Sequence, residues 1–139
     1  MRLLYPTYHA TKECMAISTM HFKRKHYNNG QANAFRHALW NYLIALKCSN
    51  TSKNRARIII WTKRITDWHE DAFRNRPLAQ RMDLHNNGIG RALFLDGTIA
   101  NKDAALRNLL ELASRSIKIN TNSNLADYPL SLVHITDDQ

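Results

Sequence analysis

The sequence predicts a mostly α fold: one compact helical bundle with an irregular or partly extended C-terminal tail. Three observations point there. Hydrophobic residues make up 44% of the 139, with only four glycines and three prolines, which is the composition of a packed domain rather than a disordered chain. Apolar residues recur at three-and-four spacing in segment after segment. Strand-like fragments occur only near the end, IKIN and LSLVHI, and no hairpin turn joins them. The length suits one domain over 1–139, with its motif-bearing core at about 31–116.

Residues 1–12 carry no readable pattern. Lys12 to His26 reads as a short helix closed by the turn signal His26-Tyr27-Asn28-Asn29-Gly30. From Gln31 to Cys48, Ala32, Phe35, Leu39, Tyr42 and Leu46 form one helical stripe. Ser49 to Ser52 reads as a turn with a capping residue. The clearest helix spans about Arg55 to Phe73, on the stripe Ile58, Trp61, Ile65, Trp68 and Ala72, and should end before Pro77. Leu78, Met82, His85, Ile89 and Ala92 continue a further stripe. Asp103 to Ser116 is a last helix, capped by Thr98 or Asn101, with Leu106, Leu109, Leu110 and Ala113 inward.

A formal net charge of +9 favours an anionic partner: nucleic acid, an acidic membrane surface or a phosphorylated substrate. No run approaches the roughly 20 apolar residues of a bilayer span, and the longest, Ala38 to Leu46, is broken by Asn41. The opening MRLLYPTYHATKE has neither the apolar segment nor the cleavage site of a standard secretory signal. Cys14 and Cys48 are expected as buried free thiols, with one disulfide as the alternative. A GxSxG elbow, a P-loop and a dinucleotide fingerprint are all missing from the sequence. The basic runs are scattered rather than gathered on one recognition helix, which argues against helix-turn-helix binding.

Polar residues land in suggestive places. Asn33, His37 and Asn41 stack four apart on a helix that is apolar almost all round, so they should be buried and need partners. Arg36 beside them asks for a carboxylate or a phosphate. On the next helix His69 lies beside the apolar seam and Glu70 at its edge or outside it. The stretch MDLHNNGIGR, Met82 to Arg91, is poor helix material because Asn-Asn-Gly disfavours helical geometry. If helical, it puts Asp83 and Asn87 on one face and turns His85 away; if extended, it puts Asp83 beside His85. Such a local departure marks a functional site more often than ordinary structure does.

Two chemistries fit. His37, His69, Asp83 and His85, with Glu70, are candidate ligands for a divalent, zinc-like ion that would acidify water, although no standard ligand cassette is present. In a metal-free site Glu70 or Asp83 would be general acid or base, helped by His37 or His69. In either, Arg36, Asn41, Asn86, Asn87 and Arg91 would bind substrate and steady negative charge.

The motifs Arg36-His37-Ala38-Leu39-Trp40-Asn41, His69-Glu70 and Met82 to Arg91 resemble the signature RHAxWN, HE and MDLxNNxxGR of an uncharacterised bacterial domain family found in surface, secreted and toxin-like proteins. The resemblance covers about Asn33 to Arg91. In that family the position of His85 varies, which lowers it as a ligand, and the position of Asn33 is often an acid. The resemblance implies an antibacterial effector, secreted by a non-classical route or delivered into target cells, and travelling with an immunity protein. The expected activity is hydrolysis of an anionic cell-envelope substrate, phospholipid or a cell-wall component. The alternatives are a nuclease toxin acting on DNA or RNA and a non-enzymatic binding module.

Overall fold

The structure, a computed structural model, describes residues 2–138. Five α-helices follow one another: α1 (Leu4–Phe22), α2 (Gln31–Cys48), α3 (Arg55–Ala72), α4 (Pro77–Leu95) and α5 (Lys102–Ser114). A 3-10 turn, Lys23–Tyr27, links the first two. The tail forms a two-residue parallel pair, β1 (Ile117–Lys118) beside β2 (Val133–His134). The mostly α bundle and its irregular end are therefore as expected, and no helix is long and apolar enough to cross a membrane.

The central helix is α2, against which the other four pack. Its Phe35, Leu39, Leu43 and Ile44 are fully buried with Ile58 of α3, Leu109 of α5 and Leu132 of the tail. Each such side chain stabilises the fold by roughly 1.5–3 kcal/mol. A smaller cluster joins Met82 of α4 to Ile119 and Val133. Both cysteines are buried and free.

Three sequence expectations need correction. The first helix begins at Leu4, not near Lys12. Its inward row, Thr7, Ala10, Cys14 and Ser18, is too small and polar to register as an apolar stripe. In α3 the buried row is Ile58, Thr62, Thr66 and Glu70, while Trp61 and Ile65 are half-buried and Trp68 and Ala72 are exposed. Thr62 and Thr66 turn inward because their hydroxyls donate back to the carbonyls of Ile58 and Thr62, both at 2.8 Å, which makes them tolerable in a helix interior. Glu70 thus sits inside, not at the seam's edge.

The third concerns Asn86-Asn87-Gly88-Ile89-Gly90, which is continuous helix within α4, so the extended alternative falls. Packing outweighs propensity here. A Cβ at Gly90 would lie 2.0 Å from the carbonyl oxygen of Ala38, so only glycine lets α4 rest directly on the backbone of α2. Pro77 begins this helix, where its missing N–H is harmless.

The tail braces the bundle. Asn86 treats β2 as a strand partner, donating from Nδ2 to the Val133 carbonyl at 2.8 Å and accepting from the Val133 N–H at 2.9 Å. Gly30 gives α2 no side-chain cap, and Asp138 Oδ2 supplies one from the far end by accepting the Ala32 N–H at 2.8 Å. By contrast α3 and α5 are capped locally, by Asn54 and Asn101. Of the two predicted caps for α5, Asn101 is the one used.

Candidate active site

Helix α2 delivers His37 to the contact with α3 and α4, buried on all sides. Burial, followed by the positive charge of neighbouring Arg36, pushes its pKa down to about 4, so the ring is neutral at physiological pH. Asn87 Oδ1 stands 3.1 Å from Nδ1 and fixes the ring proton there. The lone pair on Nε2 then faces Asp83 Oδ1 at 3.3 Å. Glu70 Oε1 lies on the other side, 3.6 Å from Nδ1. One imidazole is held between two buried carboxylates.

These carboxylates are driven apart. Burial and then the negative charge of Glu70 push Asp83 up to about 8. Burial works to raise Glu70 as well, but the nearby imidazoles of His69 and His37 outweigh it and hold Glu70 below the usual range. At neutral pH Asp83 keeps a proton and Glu70 is ionised. Ligand atoms of His37, Glu70 and Asp83 all lie within 4.8 Å of one another, so the three could hold a metal ion.

Polar satisfaction singles the centre out. Glu70 Oε1, Asp83 Oδ1, Asn87 Nδ2 and His69 Nδ1 are all buried without a hydrogen-bond partner, four of the seven such atoms found. A buried polar group left unpaired costs about 1–3 kcal/mol. Four of them around one histidine are poor architecture for a core and good architecture for receiving a ligand.

Behind the centre lies a supporting network. Asn41 Nδ2 donates to the His37 carbonyl at 3.0 Å, and Asn41 Oδ1 accepts from Thr66 Oγ1 at 3.1 Å and from Arg91 Nη1 at 2.9 Å. This ties α2, α3 and α4 together directly under the histidine. Thr66 was not expected from sequence. Its signal is the i,i+4 row that it shares with Glu70, hidden because threonine reads as an ordinary helix-surface residue.

In front lies a pocket of about 260 Å³ between α1, α2 and α3, lined by Thr11, Cys14, Met15, Arg36, His37, Trp40 and His69. Trp40 is pinned across it by a 2.9 Å bond from Nε1 to Thr11 Oγ1. Arg36 donates to the His26 carbonyl and lies over the Tyr27 ring, and among the described residues no carboxylate pairs with it. His69 has a side chain 43% exposed, stacks near Trp40 and Phe73, and stands 3.8 Å from Glu70, so it joins the pocket mouth to the centre. Burial lifts the Cys14 thiol to about 12, which leaves it inert.

Of the residues expected to form the site, the fold gathers His37, Glu70, Asp83 and Asn87, with His69 and Arg36 at the rim and Asn41 and Arg91 behind. Two stand apart. Asn86 is fully engaged with Val133. His85 is turned to the other side of α4, where Nε2 lies 2.8 Å from the Ser131 carbonyl, so it joins none of the candidate ligands. Helical geometry is the reason in both cases, since consecutive side chains diverge by about 100°. Asn33 donates to the His26 carbonyl and anchors the loop rather than the site.

Residues 1–118 match the model of the family described as Domain of unknown function (DUF6973). The chain belongs to that family, and the match extends well beyond the stretch of motifs on both sides. No curated protein and no solved structure matches the chain.

Proposed function

We propose that this member of the DUF6973 family is a hydrolase, an antibacterial effector delivered into target cells, acting on an anionic component of the cell envelope. One observation carries the chemistry: two buried carboxylates held in opposite protonation states around a neutral histidine, which itself lines the pocket. Pairs of groups whose environments push their pKa values apart identify an acid and a base.

In this reading Glu70 takes a proton from the attacking water. Asp83, protonated, returns one to the leaving group. His37 lies between them, held in one tautomer by Asn87, and Glu70 passes the proton it took directly to Asp83, its hydrogen-bond partner, so that the pair is reset after turnover. His69 connects Glu70 with solvent at the mouth. Arg36 receives the substrate's anionic group, since it is the cation in the pocket that no carboxylate among the described residues neutralises. The apolar wall of Met15 and Trp40 suits an amphiphile, which supports phospholipid over a bare polyanion.

A divalent metal ion is the second reading, favoured by the close approach of the three ligand atoms. His37, Glu70 and Asp83 would hold it, and it would supply a water acidic enough to ionise near neutrality. The ion would also offset the charge of both carboxylates, so Asp83 would lose its proton on binding. Calorimetric titration of the protein with Mn²⁺ and Zn²⁺, beside Glu70→Gln, separates the two. Saturable binding with proton release, lost in the variant, selects the metal centre; no heat selects the acid–base pair.

The biological role is tested by growth of a bacterium that expresses the chain in its cytoplasm or directed to its periplasm, with Glu70→Gln alongside. Periplasmic killing that the variant loses supports an envelope hydrolase. Cytoplasmic killing that the variant loses supports the nuclease instead, with immunity-protein rescue as the expected counterpart of either. Equal killing by the variant makes the chain a binding module.

A further inference from the structure

We infer that the outer faces of α1 and α3, which flank the pocket mouth, dock the protein on an anionic lipid bilayer. The inference rests on the hydrolase reading only for its purpose, which is to bring an amphiphilic substrate to the pocket.

On α1, Tyr5, Tyr8 and Lys12 recur at three-and-four spacing beside Thr11 and Met15, which line the pocket. On α3, Arg57, Ile60, Arg64 and Trp68 form the corresponding row. The two rows meet. Trp61 Nε1 donates to Thr7 Oγ1 at 2.9 Å, and Arg2, Arg57, Ile60 and Arg64 line one shared groove of about 320 Å³. The apolar members are strongly exposed, with Tyr5 at 73%, Ile60 at 62% and Trp68 at 60%. Aromatic rings with polar edges, one large aliphatic and several cations are the composition of a membrane-surface face.

Charge decides the occupant. Among the described residues, Arg2, Lys12, Arg57 and Arg64 enter no ion pair, as is true of most of the lysines and arginines. Glu13, the acid of α1, lies about 100° round the helix from Lys12 and is held by Lys47 and Lys102. The acids on this side of α3 are Asp67, paired with Lys63, and Asp71, near Gln80 at the C-terminal end. Cations without counter-ions, interleaved with exposed tyrosine and tryptophan, complement the negative surface of a phosphatidylglycerol-containing leaflet.

The test uses the full chain carrying Glu70→Gln, so that docking is read apart from chemistry. Vesicles of phosphatidylcholine with phosphatidylglycerol are compared with vesicles of phosphatidylcholine alone, by sedimentation and by quenching of tryptophan emission with brominated acyl chains. Binding to the anionic vesicles is expected, with quenching that Trp68→Phe removes. Arg57→Gln and Arg64→Gln should each weaken binding about fivefold, and Ile60→Asp more. All of these positions are exposed, so circular dichroism should stay unchanged. The inference is overturned if anionic vesicles stay unbound, if Ile60→Asp and the arginine variants bind like the parent, or if the same residues hold a duplex oligonucleotide and not vesicles. An unbound protein that still kills in a Glu70-dependent way would remove the docking face and leave the hydrolase standing.

Discussion

Asn86 and Asn87 are consecutive, chemically identical and both completely buried in α4, yet they do opposite work. Asn86 has both ends of its amide paired with the backbone of Val133. Asn87 spends its oxygen on His37 and leaves its Nδ2 without a partner, next to two carboxylates that also lack one. One side of α4 is finished structure, and the other is polar and under-satisfied. A helix turn of about 100° is all that separates them, so burial alone does not distinguish a core residue from a functional one. Completeness of hydrogen bonding does.

The strongest way to break this comparison is Glu70→Gln, which keeps shape but removes the base. Activity on the substrate that the wild-type chain consumes should fall by about 10²–10⁴-fold, while the melting temperature holds or rises because a buried charge has gone. A parallel loss of activity and folding would return Glu70 to a structural role.

Next, the asparagines should part company. Asn86→Ala strands the N–H and carbonyl of Val133 and should cost about 2–3 kcal/mol, a fall on the order of 10 °C in melting temperature for a chain of this size. Asn87→Ala should change stability by less than about 1 kcal/mol and yet reduce turnover by about 10–100-fold, since the His37 ring loses the partner that orients it. Thermal melts and rates on both variants check this. Matching behaviour in the two would erase the distinction.

The smallest effect is a pH slope in metal-free protein. The folded pKa of Asp83 lies near 8, above its ordinary value of 3.8, so the folded state binds the extra proton and stability declines as pH rises between about 4 and 8. The folded pKa of His37 lies near 4, below its ordinary 6.5, so stability climbs between about 4 and 6.5. The two offset one another at acid pH, and the Asp83 decline stands alone from about 6.5 to 8. Denaturant melts across that window should show it in the wild type and not in Asp83→Asn. A saturating divalent ion, if the centre takes one, should reverse the slope.

Much of this was legible in the chain itself. The row containing His37 and Asn41 follows from helical spacing alone, whereas the row of Asp83 and Asn87, which turns His85 away, was one of two alternatives that the sequence left open. What stayed hidden has physical causes. The first helix escaped because its buried row is Thr7, Ala10, Cys14 and Ser18 rather than leucines. The inward turn of Glu70 escaped because Trp61, Ile65 and Trp68 outshout Thr62 and Thr66 on any hydropathy measure, though the threonines satisfy their own hydroxyls and pack inside. The helicity of Asn-Asn-Gly escaped because Gly90 answers to the backbone of Ala38, a contact that no local pattern encodes. Asn86 was expected to bind substrate, and nothing local marks it as the partner of a strand 47 residues away.

The bond from Ala32 to Asp138 has a consequence in time. It closes across 106 residues, whereas His37 meets Asn87 across 50 and Asn41 meets Thr66 across 25. Closure entropy rises with span, if slowly, and a chain leaving the ribosome presents its N-terminal part first. The reactive cluster can therefore come together while the start of α2 is still frayed, and Asp138 arrives afterwards to lock it.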